Sequence, residues 1–324
     1  MITLDKINEI LQKSFENLTF KTSPSGLYES IQYILSMGGK RIRPVLVLAG
    51  YNLFKNDIEK AIPVAMAFEV FHNFTLMHDD VMDNSTIRRN KPTVHVKWNV
   101  NTAILSGDAM LIKAYQILFE TKTEKIKEVA ELFSKTAMEV CEGQQFDMNF
   151  ETLDNVSTEQ YIEMIRLKTS VLLAACVKAG AMVADADTES CNLLYQFGLN
   201  TGLAFQLQDD LLDVYGDLSV FGKQPGGDIL NDKKTFLMIK AIELSSGNIK
   251  KELSMWRENK TSNPELKIKE ITNIYNKLGI KELTLNKISE YHKLASNALS
   301  DLKVESNKKE ILNMFLEQIM SRNK

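Results

Sequence analysis

The chain of 324 residues carries only three cysteines, six prolines and 15 glycines, and a marked excess of either sign of charge is lacking as well. Each scarcity excludes something. Cys141, Cys176 and Cys191 are odd in number and widely spaced, which indicates neither a disulfide framework nor a zinc site. All three fall in apolar helical text, where buried, inert thiols are expected. No run of about 18 uncharged apolar residues occurs, so no segment is expected to span a membrane. The N-terminal MITLDKINEI holds acids and no long apolar core, so it does not read as a signal peptide. A reduced cytoplasm is the expected compartment. With 39 basic and 42 acidic residues the net charge is −3, and that balance supplies no field for nucleic acid.

Few breakers leave long uninterrupted segments. Apolar residues recur at helical spacing over 27–37, 63–83, 103–120, 126–146, 161–184 and 191–215, and the last hundred or so residues read as further amphipathic helices. Ser157-Thr158-Glu159-Gln160 has the pattern of a capping box, and Asp187 or Thr188 is placed to cap the next helix. No strands alternate with helices, which argues against a nucleotide-binding α/β sheet. There is no solenoid repeat and no Gly/Ser-rich linker. The reading is an all-α chain forming one domain over 1–324, with 84–97 and 217–234 as the loops expected to move.

Six of the 17 aspartates form two copies of one pattern, Asp79-Asp80-Val81-Met82-Asp83 and Asp209-Asp210-Leu211-Leu212-Asp213. Spacings of three and four put each triad on one helical face, where like charges repel by about 0.2–0.5 kcal/mol per pair. Asn84-Ser85 follows the first triad and Tyr215-Gly216 the second, so both lie near helix C-termini. There the helix dipole disfavours anions by roughly 0.3–1 kcal/mol each. Stability alone would not put carboxylates at these positions, and a bound cation removes the penalty. Oxygen ligands without accompanying His or Cys suit Mg²⁺, which takes one or two carboxylates and completes its shell with water and phosphate oxygens. Two facing triads would hold several such ions around one diphosphate. The bland alternative is a pair of solvated acidic helix ends; the apolar text before each triad and the recurrence of the doublet weigh against it.

Basic residues gather near these acids. Gly38-Gly39-Lys40-Arg41-Ile42-Arg43-Pro44 reads as a turn and helix start, a setting that favours phosphate, though it lacks Walker spacing. Arg88-Arg89 follow the first triad and offer planar forks to phosphate. Lys168-Thr169 sit in apolar text, where a snorkelling lysine is the ordinary reading. Lys223 and Lys233 flank a breaker-rich stretch suited to a lid. His72 stands two turns before Asp79; Glu69 and His72 match half of a di-iron element, but the second half is missing.

GGKRIRP, HDDVMD, RRNKPTVH, Lys168-Thr169, FQLQDDLLD and GKQPGGDILNDKKT, in this order between about Gly38 and Thr235, resemble the motifs of the trans-isoprenyl diphosphate synthases, or polyprenyl synthases. Asn90 departs from the family's usual glycine, but Asn tolerates positive φ, so the turn should survive. The resemblance implies a single large helical bundle around a central active-site cavity, a homodimer, and Mg²⁺, three ions, bound with the diphosphate. It implies that Asp79, Asp80, Asp83, Asp209, Asp210 and Asp213 hold the metal and, through it, an allylic diphosphate. Arg88, Lys168 and Lys233, assisted by Lys223, would touch that diphosphate. Lys40, Arg43, His72 and Arg89 would hold isopentenyl diphosphate, with Thr169 and Gln206 near the reacting carbons.

Phe74 and Thr75, five and four residues before Asp79, are the candidate chain-length residues. An aromatic there with a small neighbour implies, by the family pattern, a short product: geranylgeranyl diphosphate, with farnesyl diphosphate next. A simple core role is the alternative for Phe74. Two other activities stay in view. A class I terpene cyclase would normally carry an Asn/Ser/Glu-type second metal motif and lack the isopentenyl site. A non-catalytic subunit of a heteromeric synthase should have lost a triad or its basic residues. This chain keeps both triads together with Lys40, Arg43 and His72. A purely structural helical protein leaves the paired triads unexplained.

Overall fold

The structure, a computed structural model, describes residues 2–216, 226–258 and 263–321. Its helices are α1 (Leu4–Glu16), α2 (Ser25–Ser36), α3 (Ile42–Asn52), α4 (Ile62–Met82), α5 (Val94–Lys97), α6 (Val100–Leu118), α7 (Ile126–Thr152) and α8 (Thr158–Ile165). They continue with α9 (Val171–Val183), α10 (Thr188–Tyr215), α11 (Gly227–Leu230), α12 (Phe236–Leu244), α13 (Gly247–Glu258), α14 (Pro264–Lys277), α15 (Ile280–Asp301) and α16 (Glu310–Ser321). Short polar residues open several of them by satisfying amides that lack a helical partner. Ser157 and Gln160 complete the reciprocal capping box at α8. Asp187 accepts from the Ser190 amide at 2.8 Å at the start of α10.

The chain sorts into two compact units: Met1–Lys135 with Ala175–Tyr195 and Leu302–Leu312, and Thr136–Ala174 with Gln196–Asp301 and Asn313–Lys324. In the first unit α4 is the central helix, with α6 and α3 packed on it. Every residue from Val64 to Phe71 is buried, so that part of α4 is surrounded. Towards the C-terminus burial narrows to Asn73, Phe74, Met77 and Asp80, one helical face. The helix therefore begins in the core and ends at a partly open edge, which is where the first triad stands. Phe133 anchors the surroundings by edge-on contacts to Phe68 at 5.0 Å, Phe71 at 5.3 Å and Tyr115 at 5.0 Å.

Within the 84–97 stretch, expected as a loop that moves, the chain forms a minimal hairpin of β1 (Ile87–Arg88) and β2 (Lys91–Pro92). Its two turn residues both adopt positive φ, Arg89 at 52° and Asn90 at 61°, as two-residue hairpin turns require. Asn90 thus adopts the positive φ expected of it. Tyr33 ties the hairpin down by donating to the Pro92 carbonyl at 2.8 Å.

In the second unit a core forms around Tyr161, Leu207, Leu237, Ile271, Ile274 and Tyr275, so the motif-poor C-terminal helices supply packing. The 161–184 stretch is not one regular helix. α8 passes through a π-helical turn, Arg166–Ser170, before α9 begins. Such turns admit an extra residue and often mark functional sites. Gly143 of α7 makes it possible: a Cβ there would lie 2.3 Å from the Lys168 amide nitrogen. α7 also runs six residues beyond the expected 146, to Thr152. Cys141 on α7 is exposed, contrary to the expectation of three buried thiols, because helical periodicity turns it outward; Cys176 and Cys191 are buried.

Candidate active site

The two triads share a burial pattern. The middle aspartate of each is inside, Asp80 at 2 % and Asp210 at 4 % exposure. Asp79 and Asp209 are half-buried, Asp213 is half-buried and Asp83 is exposed. In both, the second carboxylate lies on the inner face of its helix and the others flank it; Asp80 is the last buried residue of α4, while Leu211 follows Asp210 inside.

In the first unit Asp80 is neutralised by Arg88, whose Nε donates to Oδ2 at 2.8 Å while Nη2 lies 2.8 Å from Oδ1. The Nε contact is a hydrogen bond and the Nη2 contact an ion pair only, so Asp80 Oδ1 keeps no hydrogen-bond partner among the described residues. The neighbouring Arg89 turns the other way and donates to the Gly38 carbonyl. Its guanidinium occupies the space a Cβ on Gly39 would need, with Cζ 2.7 Å from that point, and Gly39 has φ of 130°. Only glycine meets both demands.

Lys40, Arg43, His72 and Arg89, singled out as phosphate ligands, come together. They line a pocket of about 430 Å³ with Gly39, Arg41 and Glu69. Among the described residues lining it, Glu69 is the only acid, and it is committed to Arg41 at 2.7 Å. Arg41 also donates to the Leu35 carbonyl at 2.7 Å, so it acts as a strut. Arg43 Nε is buried without a hydrogen-bond partner among the described residues. Burial pushes the Arg43 guanidinium's pKa down, and likewise that of Arg89. Burial, then the fields of Arg43, Arg89, Arg88 and Arg41, hold the His72 pKa well below the usual imidazole value. The pocket gathers Lys40, Arg41, Arg43, His72 and Arg89 around a single acid, Glu69, among its described lining residues, a setting for a multiply charged anion.

In the second unit Asp210 heads a chain of hydrogen bonds. Tyr161 donates from its buried hydroxyl to Oδ2, and Gln206 Nε2 donates to Oδ1 at 3.2 Å. Thr169 Oγ1 in turn donates to Gln206 Oε1 at 3.2 Å. Thr169 and Gln206 are therefore tied to a triad carboxylate. Burial, with Asp228 nearby, pushes the Asp210 carboxyl up to about 7. Asp213 Oδ2 accepts from the Asp228 amide at 2.9 Å, which pins the start of α11. Lys233 follows on the same segment, its amide bonded to the Asp228 carbonyl at 2.9 Å. Lys168, on the π turn, does not snorkel; its ammonium pairs with Asp147 at 2.5 Å. Of the 217–234 lid, Lys223 and all of 217–225 lie outside the described residues. The described part is fastened by Asp232, which takes a fork from Arg257 at 2.9 and 3.0 Å.

Phe74 is 8 % exposed and rests between Phe71, at 5.6 Å, and His78, at 4.8 Å. Thr75 donates to the His72 carbonyl at 2.8 Å. Among the described residues no three His, Cys, Asp or Glu side chains form a ready-made metal cage. Mg²⁺ bound largely through water and phosphate needs none. Sequence reading did not single out Tyr161, Asp147 or Arg257. Each is an ordinary residue in its stretch and acquires its role only from a partner distant in the chain.

Comparison with known proteins identifies the family. The sequence pattern of the Polyprenyl synthetase family matches residues 24–275. A short chain isoprenyl diphosphate synthase of Methanocaldococcus jannaschii is 45 % identical over 246 residues, 75 % of each chain. A crystal structure of a geranylgeranyl pyrophosphate synthase superposes with a TM-score of 0.94 at 42 % identity, covering 99 % of both chains. A geranylgeranyl pyrophosphate synthase of Corynebacterium glutamicum, solved with isoprenyl diphosphate and magnesium, gives 0.88 at 27 % identity, covering 99 % of this chain and 100 % of that one. This all-helical chain therefore belongs to the polyprenyl synthetase family and is a prenyltransferase.

Proposed function

We propose that the chain condenses isopentenyl diphosphate head to tail with an allylic diphosphate, with trans geometry, and favours geranylgeranyl diphosphate as product, farnesyl diphosphate next. The observation that carries this reading is the cationic pocket of Lys40, Arg43, His72 and Arg89. A prenyl synthase needs a site for a second diphosphate, whereas a cyclase works on one substrate and a non-catalytic subunit on none. The printed names of the relatives support the same product class.

The acid sets fit Mg²⁺. Asp79, Asp80 and Asp83, and Asp209, Asp210 and Asp213, offer oxygen donors only. Asp210, whose buried carboxyl sits at about 7, is a group that an adjacent cation would return to its charged form. Three Mg²⁺ ions bound with the diphosphate would neutralise the charge that develops on it as it leaves. Arg88, Lys168 and Lys233 are assigned to the allylic diphosphate, with Lys223 assisting, and stabilise the same charge from fixed positions. Asp147 holds Lys168, and the bond from Thr169 to Gln206 fixes two polar groups near the reacting carbons. Lys40, Arg43, Arg89 and His72 hold isopentenyl diphosphate so that its double bond is presented at close range. The allylic C–O bond breaks, the double bond attacks the allylic cation, and a proton leaves to the released diphosphate. Water is kept out, since it would trap the cation. Phe74, with Thr75 beside it, is the proposed floor for the growing tail.

We place the enzyme in the cytoplasm as a homodimer. No helix of the described residues is long and apolar enough to cross a membrane. Leu105, Ile112 and Phe119 form an exposed apolar stripe on one side of α6, which supports self-association. The test is incubation of the chain with labelled isopentenyl diphosphate, Mg²⁺ and each allylic primer in turn. Twenty-carbon diphosphate accumulating from a farnesyl primer is the expected result. Label left unconsumed with every primer overturns the proposal, and a cyclic hydrocarbon made from the primer alone favours the cyclase.

A further inference from the structure

Lys233, assigned to the allylic diphosphate, follows a stretch that cannot support itself. α11 has only four residues, far fewer than a helix needs to hold together alone. At its front the stretch hangs on Asp213, whose carbonyl accepts from the Gly226 amide and whose Oδ2 accepts from the Asp228 amide. Those bonds place Asp228, five residues before Lys233. The residue next to Lys233 is held from elsewhere. Asp232 takes the Arg257 fork, Nε to Oδ1 and Nη2 to Oδ2, and Lys234 Nζ adds a bond to Oδ2 at 3.2 Å. Two parallel bonds fix an angle as well as a distance, which a single ammonium does not. Asp232 also has φ of 49°, so the fork braces a backbone conformation that few residues adopt.

Arg257 is itself firmly set. It stands in the last turn of α13, four residues after Leu253, which is buried in the core of the second unit. Its carbonyl accepts from Lys267 Nζ of α14 at 3.3 Å, and Lys267 is only 5 % exposed. Support thus runs from α14 through Arg257 and Asp232 to the backbone at Lys233. Lys233 in turn stands within electrostatic reach of Asp210 in the second triad. We propose that Arg257 is a positioning residue for prenyl transfer: by its fork on Asp232 it fixes the backbone from which the Lys233 ammonium reaches the allylic diphosphate. The inference rests on the assignment of Lys233 under the prenyltransferase reading. Without the fork, the stretch and its lysine are ordered anew at each binding, and that entropy is lost from the affinity for the allylic substrate. Isopentenyl diphosphate is spared, because Lys40, Arg43, His72 and Arg89 all belong to the first unit.

The test is Arg257→Ala in the full chain, measured by substrate kinetics and by calorimetric titration with Mg²⁺ and farnesyl thiodiphosphate, an allylic analogue that does not react. The Kd of the analogue and the KM of farnesyl diphosphate should both rise about tenfold, the scale of ordering one long side chain and its support. The KM of isopentenyl diphosphate and the circular dichroism should not change. Made on a Lys233→Ala background, Arg257→Ala should weaken the analogue by about twofold or less, because the group it positions is gone. An unchanged Kd in folded Arg257→Ala, or the full loss persisting on Lys233→Ala, overturns the positioning role. Should Arg257→Ala not fold, Asp232→Asn, which keeps the shape but not the charge that Arg257 grips, takes its place under the same criteria. A wild-type chain that binds the analogue without turnover is instead the failure of the functional reading, and the Kd values still decide the role of Arg257.

Discussion

His72 reports the charge state of its pocket. Arg43 faces it from α3, Arg41 from the helix start, and Arg88 and Arg89 from the hairpin; Glu69, one turn earlier on α4, is held by Arg41. With the imidazole pKa depressed in the folded chain, only the unfolded chain takes up a proton as pH falls through about 6.5. Stability is therefore present above that pH and is lost below it. A bound diphosphate reverses the local field and draws a proton onto His72. Titration of inorganic pyrophosphate at pH 6, in two buffers of different ionisation enthalpy, should show greater proton uptake by the wild-type chain than by His72→Gln. Identical buffer dependence in the two chains would remove His72 from the anion site. Phe74 supplies a second test at this scale. Phe74→Ala should lengthen the products by at least one isoprene unit, at a stability cost of about 3–5 kcal/mol because a buried ring is removed. Phe74→Leu should shift lengths in the same direction at lower cost. Unchanged lengths on chromatography would leave Phe74 a core residue and nothing more. The acids and cations at the ends of these arguments were legible in the sequence, because charged doublets at helical spacing are rare and costly. Tyr161 and Asp147 were not, because a lone Tyr or Asp has many possible partners, and only the fold puts Asp210 and Lys168 beside them.

At the scale of elements, the close approach of α7 to the π turn is the feature on which Lys168 depends. A methyl at Gly143 would collide with backbone rather than with a flexible side-chain end. Relief requires α7 or the turn to move by an ångström or so, and either shift displaces Lys168 and Thr169. Gly143→Ala should lower stability by about 1–3 kcal/mol and reduce kcat at least tenfold, with the melting temperature and turnover as the readouts. Wild-type values for both would show that the contact is slack. Helix existence and the capping box over 157–160 were readable, since apolar periodicity and short polar caps are local signals. The π turn was not, because one inserted residue barely alters the apolar pattern of the uniformly hydrophobic 161–184 stretch. The hairpin at 87–92 escaped for the opposite reason: strands of two residues have no periodicity to read.

At the scale of the whole molecule, α6 has an apolar face too many. Its inner side is spent on Ala103, Gly107, Met110, Ala114 and Ile117, all buried. On the outside Leu105, Ile112 and Phe119 recur every seven residues and are 62, 61 and 60 % exposed. Single exposed apolar residues are ordinary on protein surfaces. Three in heptad register along one helix are the pattern by which helices of two chains interlock. A two-fold axis would pair the stripe with its own copy, since such an interface is self-complementary. The chain should therefore sediment at twice its 36.8 kDa mass. The double substitution Leu105→Glu and Ile112→Glu puts two carboxylates in that contact and their copies opposite them, while leaving the inner face of α6 untouched. At micromolar concentration it should sediment as a monomer with unchanged helical circular dichroism. A wild-type monomer, or a dimer that survives both charges, would leave the outer face of α6 to solvent.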